Sequence, residues 1–251
     1  EVDISSGLPA FNIVGLPAAA VQEAKERVRA AIKNSGLIFP YKRITVNLAP
    51  ADMKKEGPAY DLPIAVGILI CSGQIKTDVS KTVFLGELSL DGSLRHTHGI
   101  LPMVALAAEN GLEPVFVPAI DAPEASLVQA AKIVPANSLV KLTQHLNNDT
   151  SIPYYQPDTD PQCASPSPGI DLADIKGQEH VKRGLEVAAA GGHNFLMSGP
   201  PGSGKTLLAR SLPSILPKMS RAEALEVTKI YSISGLLPSD TPLIMQRPYR
   251  S

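Results

Sequence analysis

Residues 199–206 read Gly-Pro-Pro-Gly-Ser-Gly-Lys-Thr, and no other stretch of the chain limits its folding as tightly. The spacing G-x-x-x-x-G-K-S/T needs a backbone that turns successive N–H groups inward. Gly202 and Gly204 permit this because glycine reaches positive φ without steric cost. The resulting concave nest, running from Gly199 through Pro200, Pro201 and Ser203, accepts phosphate oxygens. Lys205 is expected to reach the β- and γ-phosphates of a nucleotide as a point charge. The Thr206 hydroxyl is placed to ligate Mg²⁺. Asn194-Phe195-Leu196-Met197-Ser198 is a mostly apolar run of the kind that forms a buried parallel strand. Thr206 to Leu212 opens a helix. Strand, glycine loop and helix in this order aim a helix N-terminus at phosphate. The expected ligands are ATP and Mg²⁺.

The rest of the chain must supply a second fold, because 251 residues are enough for two ordinary domains. The clearest break lies at 148–170, where Pro153, Pro157, Pro161, Pro166 and Pro168 alternate with small polar residues, as in an interdomain linker. Domains are therefore expected at 1–147 and 171–251. In the first, Val21, Ala24, Val28, Ala31 and Ile32 recur at helical spacing ahead of Gly36. Leu62 to Ile70 and Ile100 to Asn110 also read as helices, the latter closed by Gly111. Phe11–Val14, Arg43–Leu48, Thr82–Leu88 and Pro114–Pro118 read as strands. Asp91-Gly92 marks a hairpin turn into Ser93-Leu94-Arg95. In the second, Gln178 to Ala190 reads as a helix before the glycine loop, and Ser220 to Glu223 is a capping box for another. The fold class is α/β overall, with an α+β first domain.

Composition narrows the setting. Hydrophobic content of 44% with 19% charged residues is that of a water-soluble globular chain, and no apolar run approaches a membrane span. Two distant cysteines, Cys71 and Cys163, suit neither a disulfide framework nor a zinc site, so a reducing cytoplasm is expected. A net charge of −1 gives no global attraction to nucleic acid. The charge is divided unevenly, however: residues 171–251 hold 10 Lys/Arg against 7 Asp/Glu.

Two resemblances organise these pieces. Lys55-Glu56-Gly57-Pro58-Ala59-Tyr60-Asp61-Leu62-Pro63 resembles the serine-bearing loop of the Lon-type protease domain, a ribosomal S5 domain 2-like fold. Gly86 to Gly111 resembles that domain's lysine-bearing segment. In this alignment the serine falls on Ala59 and the lysine on Met103, and neither can act in catalysis. The whole chain resembles the magnesium-chelatase-like AAA+ family, the YifB/ComM group. The segments that carry this are Ser6 to Pro17, Val46 to Asp52, Ile175-Lys176-Gly177-Gln178, Gly199 to Thr206 and Gln246 to Arg250. The resemblance implies a Lon-like domain lacking its dyad, then the N-terminal part of an AAA+ P-loop domain. It also implies an oligomeric ATPase, expected to be a hexamer, with branched DNA as the substrate of ComM-like members. In such proteins the stretch matching Ile175, Gly177 and Gln178 packs around adenine. The alternatives are a chelatase-type motor acting on a protein partner and a nucleotide-gated assembly module without enzymatic activity.

Other groups are weaker candidates. Beyond Thr206 the only acids are Glu223, Glu226 and Asp240, and none follows an apolar strand as a hydrolytic Asp-Glu pair would. Arg247 and Arg250 have no assignable finger role. The reading is of a longer protein's piece that binds nucleotide, without an identifiable catalytic residue. Lys25, Arg29 and Lys33 step along one helix, and with Lys54 and Lys55 they could meet DNA phosphates or simply face solvent. His96 and His98 would share one side of a strand as two metal ligands, but no third ligand is identifiable nearby, so surface or packing roles are the default. His193 reads as structural.

Overall fold

The structure is a computed structural model that describes residues 1–55, 57–157, 170–238, 241–245 and 247–248. The expected linker therefore lies largely outside the described residues, as do Cys163, Asp240, Gln246, Tyr249 and Arg250. The chain divides into two compact units, 1–158 with 232–235, and 159–231 with 236–251.

The first unit is built on two three-stranded sheets and one two-stranded hairpin. Strand β3 (Arg43–Asn47) is central in the first, antiparallel to β1 (Val2–Ser5) and parallel to β2 (Ala10–Val14). Helix α1 (Ala19–Asn34) crosses over between β2 and β3 and buries Val21, Ala24, Val28, Ala31 and Ile32, the residues its spacing singles out. It stops where Gly36 adopts φ +71° and the Leu37 N–H returns to the Ile32 carbonyl. Helix α2 (Asp61–Cys71) follows the short 3₁₀ turn Pro58–Tyr60 and is apolar all round, so it lies inside the core between α1 and β1.

The second sheet is parallel, in the order β4 (Val83–Phe84), β7 (Val115–Pro118), β8 (Ile133–Ala136). Helix α3 (Ile100–Glu109), the short helix α4 (Ala122–Ala125) and helix α5 (Leu139–Leu146) pack around it. The expected single strand at 82–88 is in fact two. Gly86, at φ +154°, breaks it between β4 and β5 (Glu87–Leu88). The break is stabilised locally: the Gly86 N–H donates to the Ala59 carbonyl and its carbonyl accepts from Leu62. Strand β5 then pairs with β6 (Leu94–Arg95) in the hairpin that Asp91-Gly92 announces, with Gly92 at φ +85°. Residues 148–157, assigned to the linker from their prolines, begin against this unit. The Ile152 N–H donates to His145 Nδ1, and that of Tyr155 to the Ile133 carbonyl.

The half-buried Arg27 pairs with the buried Asp61 in this unit. Arg27 Nε and Nη2 donate to the two oxygens of Asp61 at 2.6 and 3.0 Å, and the Leu88 N–H adds a third hydrogen bond at 3.3 Å. Burial pushes the Asp61 carboxyl above its usual range, against the pull of these donors.

The second unit is helical. A 3₁₀ turn (Leu172–Asp174) precedes α6 (Glu179–Gly191), α7 (Lys205–Ile215) and α8 (Arg221–Ile233), of which residues through Tyr231 belong to this unit. The core joins Leu172, Ile175, Leu185 and Leu208, with Met197 and Leu212 packed against it. The Ser220 and Glu223 capping box forms as the spacing predicts, with Ser220 N–H on Glu223 Oε2 at 2.7 Å and Glu223 N–H on Ser220 Oγ at 3.3 Å.

Candidate nucleotide-binding site

The glycine loop has the backbone its sequence demands. Gly202 and Gly204 sit at φ +78° and +81°, in the left-handed region, and Gly204 is the residue from which α7 starts. The first helical hydrogen bond runs from the Leu208 N–H to the Gly204 carbonyl, which leaves the first-turn N–H groups directed out of the helix end. The aligned peptide dipoles place roughly half a positive charge there. Lys205 and Thr206 occupy that first turn.

Lys205 is folded back over the loop. Its Nζ donates to the carbonyls of Gly199 and Pro200 at 2.9 and 2.8 Å, and to Ser203 Oγ at 3.2 Å. The ammonium is thus held at the loop by neutral acceptors and can be transferred to a stronger anionic one. Pro201, Gly202, Gly204 and Thr206 are all exposed around it.

The flank before the loop differs from expectation. Asn194 to Ser198 forms no strand, and Leu196 is 93% exposed. A parallel strand needs neighbours for its N–H and C=O groups, and no strand exists among the described residues of this unit. The run keeps a strand's alternation in part: Met197 packs on the core while Leu196 faces solvent, and the Phe195 ring lies over Gly184 of α6. His193 is exposed, with its ring beside Gly191.

Ile175 is buried in the core with Leu208, so the stretch 175–178 is tied to the helix that follows the glycine loop. Gly177 and Gln178 are both in the left-handed conformation, at φ +71° and +60°, and Gln178 starts α6. The Ile175 side chain is committed to packing, which leaves its backbone for any contact with a base.

Glu223 and Glu226 lie on α8, and Glu223 is held by the capping box and by Arg247 Nη2 at 3.1 Å. Arg247 also donates from Nε to the Pro217 carbonyl at 2.9 Å, so it is a packing residue in this structure. The basic set on the first unit is not one continuous stripe. The Arg29 guanidinium lies 5.3 Å from the Phe39 ring centre, and Lys55 is buried with its Nζ on the Pro50 carbonyl. Only Lys33 and Lys54 of that set are exposed.

The two positions aligned with a protease dyad also lack its chemistry in place. Ala59 lies in the 3₁₀ turn Pro58–Tyr60, and Met103 on α3 packs beside Leu85, Ile100 and Val104. Two carboxylates escape a reading of the sequence. Asp61 and Asp121 are buried and each engages a basic side chain far away in the chain, Arg27 and His96. Nothing in local spacing signals either pair.

Residues 1–121 match the family described as subunit ChlI of Mg-chelatase, and residues 171–251 match that described as magnesium chelatase, subunit ChlI. Competence protein ComM of Haemophilus influenzae is 44% identical over 100% of this chain and 50% of its own length. YifB of Escherichia coli, uncharacterized, is 42% identical over 100% of this chain and 49% of its own. An uncharacterized protein of Mycobacterium tuberculosis is 45% identical over 99% and 49%. The chain belongs to the magnesium-chelatase-like YifB/ComM family. It spans about half the length of the curated relatives it matches. Among the described residues, no helix is long and apolar enough to cross a membrane.

Proposed function

We propose that residues 199–206 bind Mg-ATP, and that the whole protein is an AAA+ motor that couples ATP hydrolysis to DNA remodelling. The observation that carries the nucleotide reading is Lys205 at the first turn of α7, beside two left-handed glycines and held by neutral oxygens. Phosphate would replace those acceptors with charged ones, and charge-assisted hydrogen bonds are about twice as strong as neutral ones. Backbone N–H groups of Gly202 to Thr206 would cradle the phosphates. The Thr206 hydroxyl would ligate Mg²⁺, and the backbone of Ile175, Gly177 and Gln178 would meet adenine.

The first unit acts in this reading as a Lon-like scaffold without protease chemistry. The water-positioning acid, the second Mg²⁺ carboxylate and the arginine finger are contributed by parts of the protein outside the described residues. Hexameric assembly and a DNA substrate are what the family resemblance implies, and a cytoplasmic location is the expectation from two distant cysteines. A chelatase-type motor acting on a protein partner is the second reading, favoured by the broken basic stripe at Arg29 and Lys55. Full-length protein assayed for ATP turnover with branched, duplex and single-stranded DNA separates the two. Stimulation by DNA is expected; turnover indifferent to every DNA structure selects the protein-partner reading. No ATP hydrolysis at all selects an assembly module.

A further inference from the structure

The segment between β6 and α3 carries His96, Thr97 and His98, and the three residues divide between inside and outside. Thr97 is buried: its N–H donates to Asp121 Oδ2 at 3.0 Å and its hydroxyl accepts from the Glu87 N–H at 3.1 Å. The flanking histidines consequently emerge on one side. Asp121, at the end of the 3₁₀ turn Ala119–Asp121 that follows β7, is also buried, and its Oδ1 lies 2.5 Å from His96 Nδ1. A carboxylate oxygen accepts, so the His96 Nδ1 carries the proton and in the neutral ring Nε2 carries the lone pair. That Nε2 lies 3.2 Å from His98 Nδ1, and the two rings stand at 81° to one another.

We infer that His96 Nε2 and His98 Nδ1 form an open two-histidine site for a divalent transition-metal ion of the Zn²⁺ or Ni²⁺ type, with Asp121 orienting His96. The spacing is the first reason. Two nitrogens each ~2.0–2.1 Å from one ion at a near-tetrahedral angle stand about 3.3 Å apart, and these stand 3.2 Å apart. Without metal this contact is a hydrogen bond in which the His98 Nδ1–H donates to His96 Nε2, so an ion displaces that proton and the bound His98 carries its proton on Nε2. The second reason is Asp121. A buried carboxylate that takes the far N–H of an imidazole fixes its tautomer and raises its basicity, which is the usual support of a metal-bound histidine. Paired imidazoles select Zn²⁺, Ni²⁺ or Cu²⁺ over the hard ions Mg²⁺ and Ca²⁺, so this site is distinct from any Mg²⁺ carried by nucleotide. His96 is 46% exposed on its side chain and His98 is exposed, so an ion has access and water completes its shell. Among the described residues no group of three His, Cys, Asp or Glu side chains is gathered to hold a metal ion, so the proposed site has two protein ligands.

The test is calorimetric titration of the full-length protein with Zn²⁺ alone, without nucleotide, alongside the Cu²⁺ electron paramagnetic resonance spectrum. One ion per chain and a Cu²⁺ spectrum with couplings to two nitrogens are expected. His98→Ala, an exposed substitution that leaves the core intact, should weaken Zn²⁺ binding at least ~10-fold and remove one nitrogen coupling. Asp121→Asn should weaken it by ~10–100-fold. Absence of Zn²⁺ binding overturns the site, as does affinity unchanged in His98→Ala, since uptake would then belong to cysteine or other groups. The outcome is independent of ATP binding, which His98→Ala should leave unaltered.

Discussion

Arg27 grips the buried Asp61 with both ends of its guanidinium, 2.6 and 3.0 Å from the two carboxylate oxygens, across 34 residues of sequence. The pair ties α1 to the start of α2, and through the Leu88 N–H it also fixes β5. Removing one partner leaves the other without its counter-charge, which costs ~3–5 kcal/mol when the survivor is fully buried. The Arg27 side chain retains 21% exposure, so Asp61→Ala should cost about 3 kcal/mol, at the lower end. Arg27→Lys should not restore stability, because an ammonium cannot make the bidentate contact. Urea unfolding that shows a loss below about 1 kcal/mol for Asp61→Ala would put this pair in the class of weak surface contacts.

Gly15 stands where only glycine fits. Its φ is +100°, and a Cβ there would fall 2.2 Å from the Leu48 carbonyl oxygen, which is backbone and cannot step aside. A left-handed residue costs roughly 1–2 kcal/mol and overpacking roughly 1–3 kcal/mol, so Gly15→Ala should lose about 3 kcal/mol. A thermal melt of the variant checks this, and an unchanged midpoint contradicts it.

The cap of α8 has a pH signature. Ser220 N–H, Arg247 and the Ser220 hydroxyl hold the Glu223 carboxyl below its ordinary 4.5. The folded value lies below the unfolded one, so the contribution is present above pH 4.5 and is lost as pH falls through the folded value. A carboxyl-detected NMR titration should place the Glu223 midpoint below 4.5, and Arg247→Ala should move it upward. A midpoint at or above 4.5 would show that the cap does not persist in solution.

Much of the first unit is legible in the sequence. The spacing of Val21, Val28 and Ile32 marks α1, Gly111 ends α3, and Asp91-Gly92 announces the β5–β6 hairpin. These are local signals, set by 3.6-residue periodicity, glycine at helix ends and turn chemistry. Strands β1 and β8 and helix α5 are missed by the sequence reading, although Ser138 caps α5 with a hydrogen bond from the Lys141 N–H. What stays hidden is mostly non-local. Gly86 splits the run 82–88 because its amide and carbonyl are taken by residues 59 and 62. Lys55 reads as a loop cation and is buried, since its backbone bridges Pro17 and its ammonium finds the Pro50 carbonyl. In the second unit the left-handed turns at Gly202 and Gly204 are readable from the spacing of the loop. The strand expected before the loop is not realised, because a strand's pairing depends on neighbours that its own sequence does not encode.

Proteolysis by the first unit is not expected. Ala59 has no nucleophilic oxygen and Met103 no amine, so casein or fluorogenic peptides should remain uncleaved in the presence of ATP and Mg²⁺. Turnover that survives repurification and is abolished by substituting a serine of this unit would show that the alignment with the protease dyad is misplaced.

If Lys205 leaves the Gly199 and Pro200 carbonyls for the phosphates of ATP, its loss must weaken nucleotide binding. Calorimetric titration of the full-length protein with ATP in the presence of Mg²⁺ tests this most directly, comparing the native protein with Lys205→Ala. Removing the loop's cation should lower affinity by at least ~10-fold, the equivalent of one charged hydrogen bond of about 1.5–3 kcal/mol. The variant's unfolding profile should stay unchanged, since Lys205 lies outside the core of its unit. ATP affinity equal in the two proteins would contradict the transfer of Lys205 to phosphate.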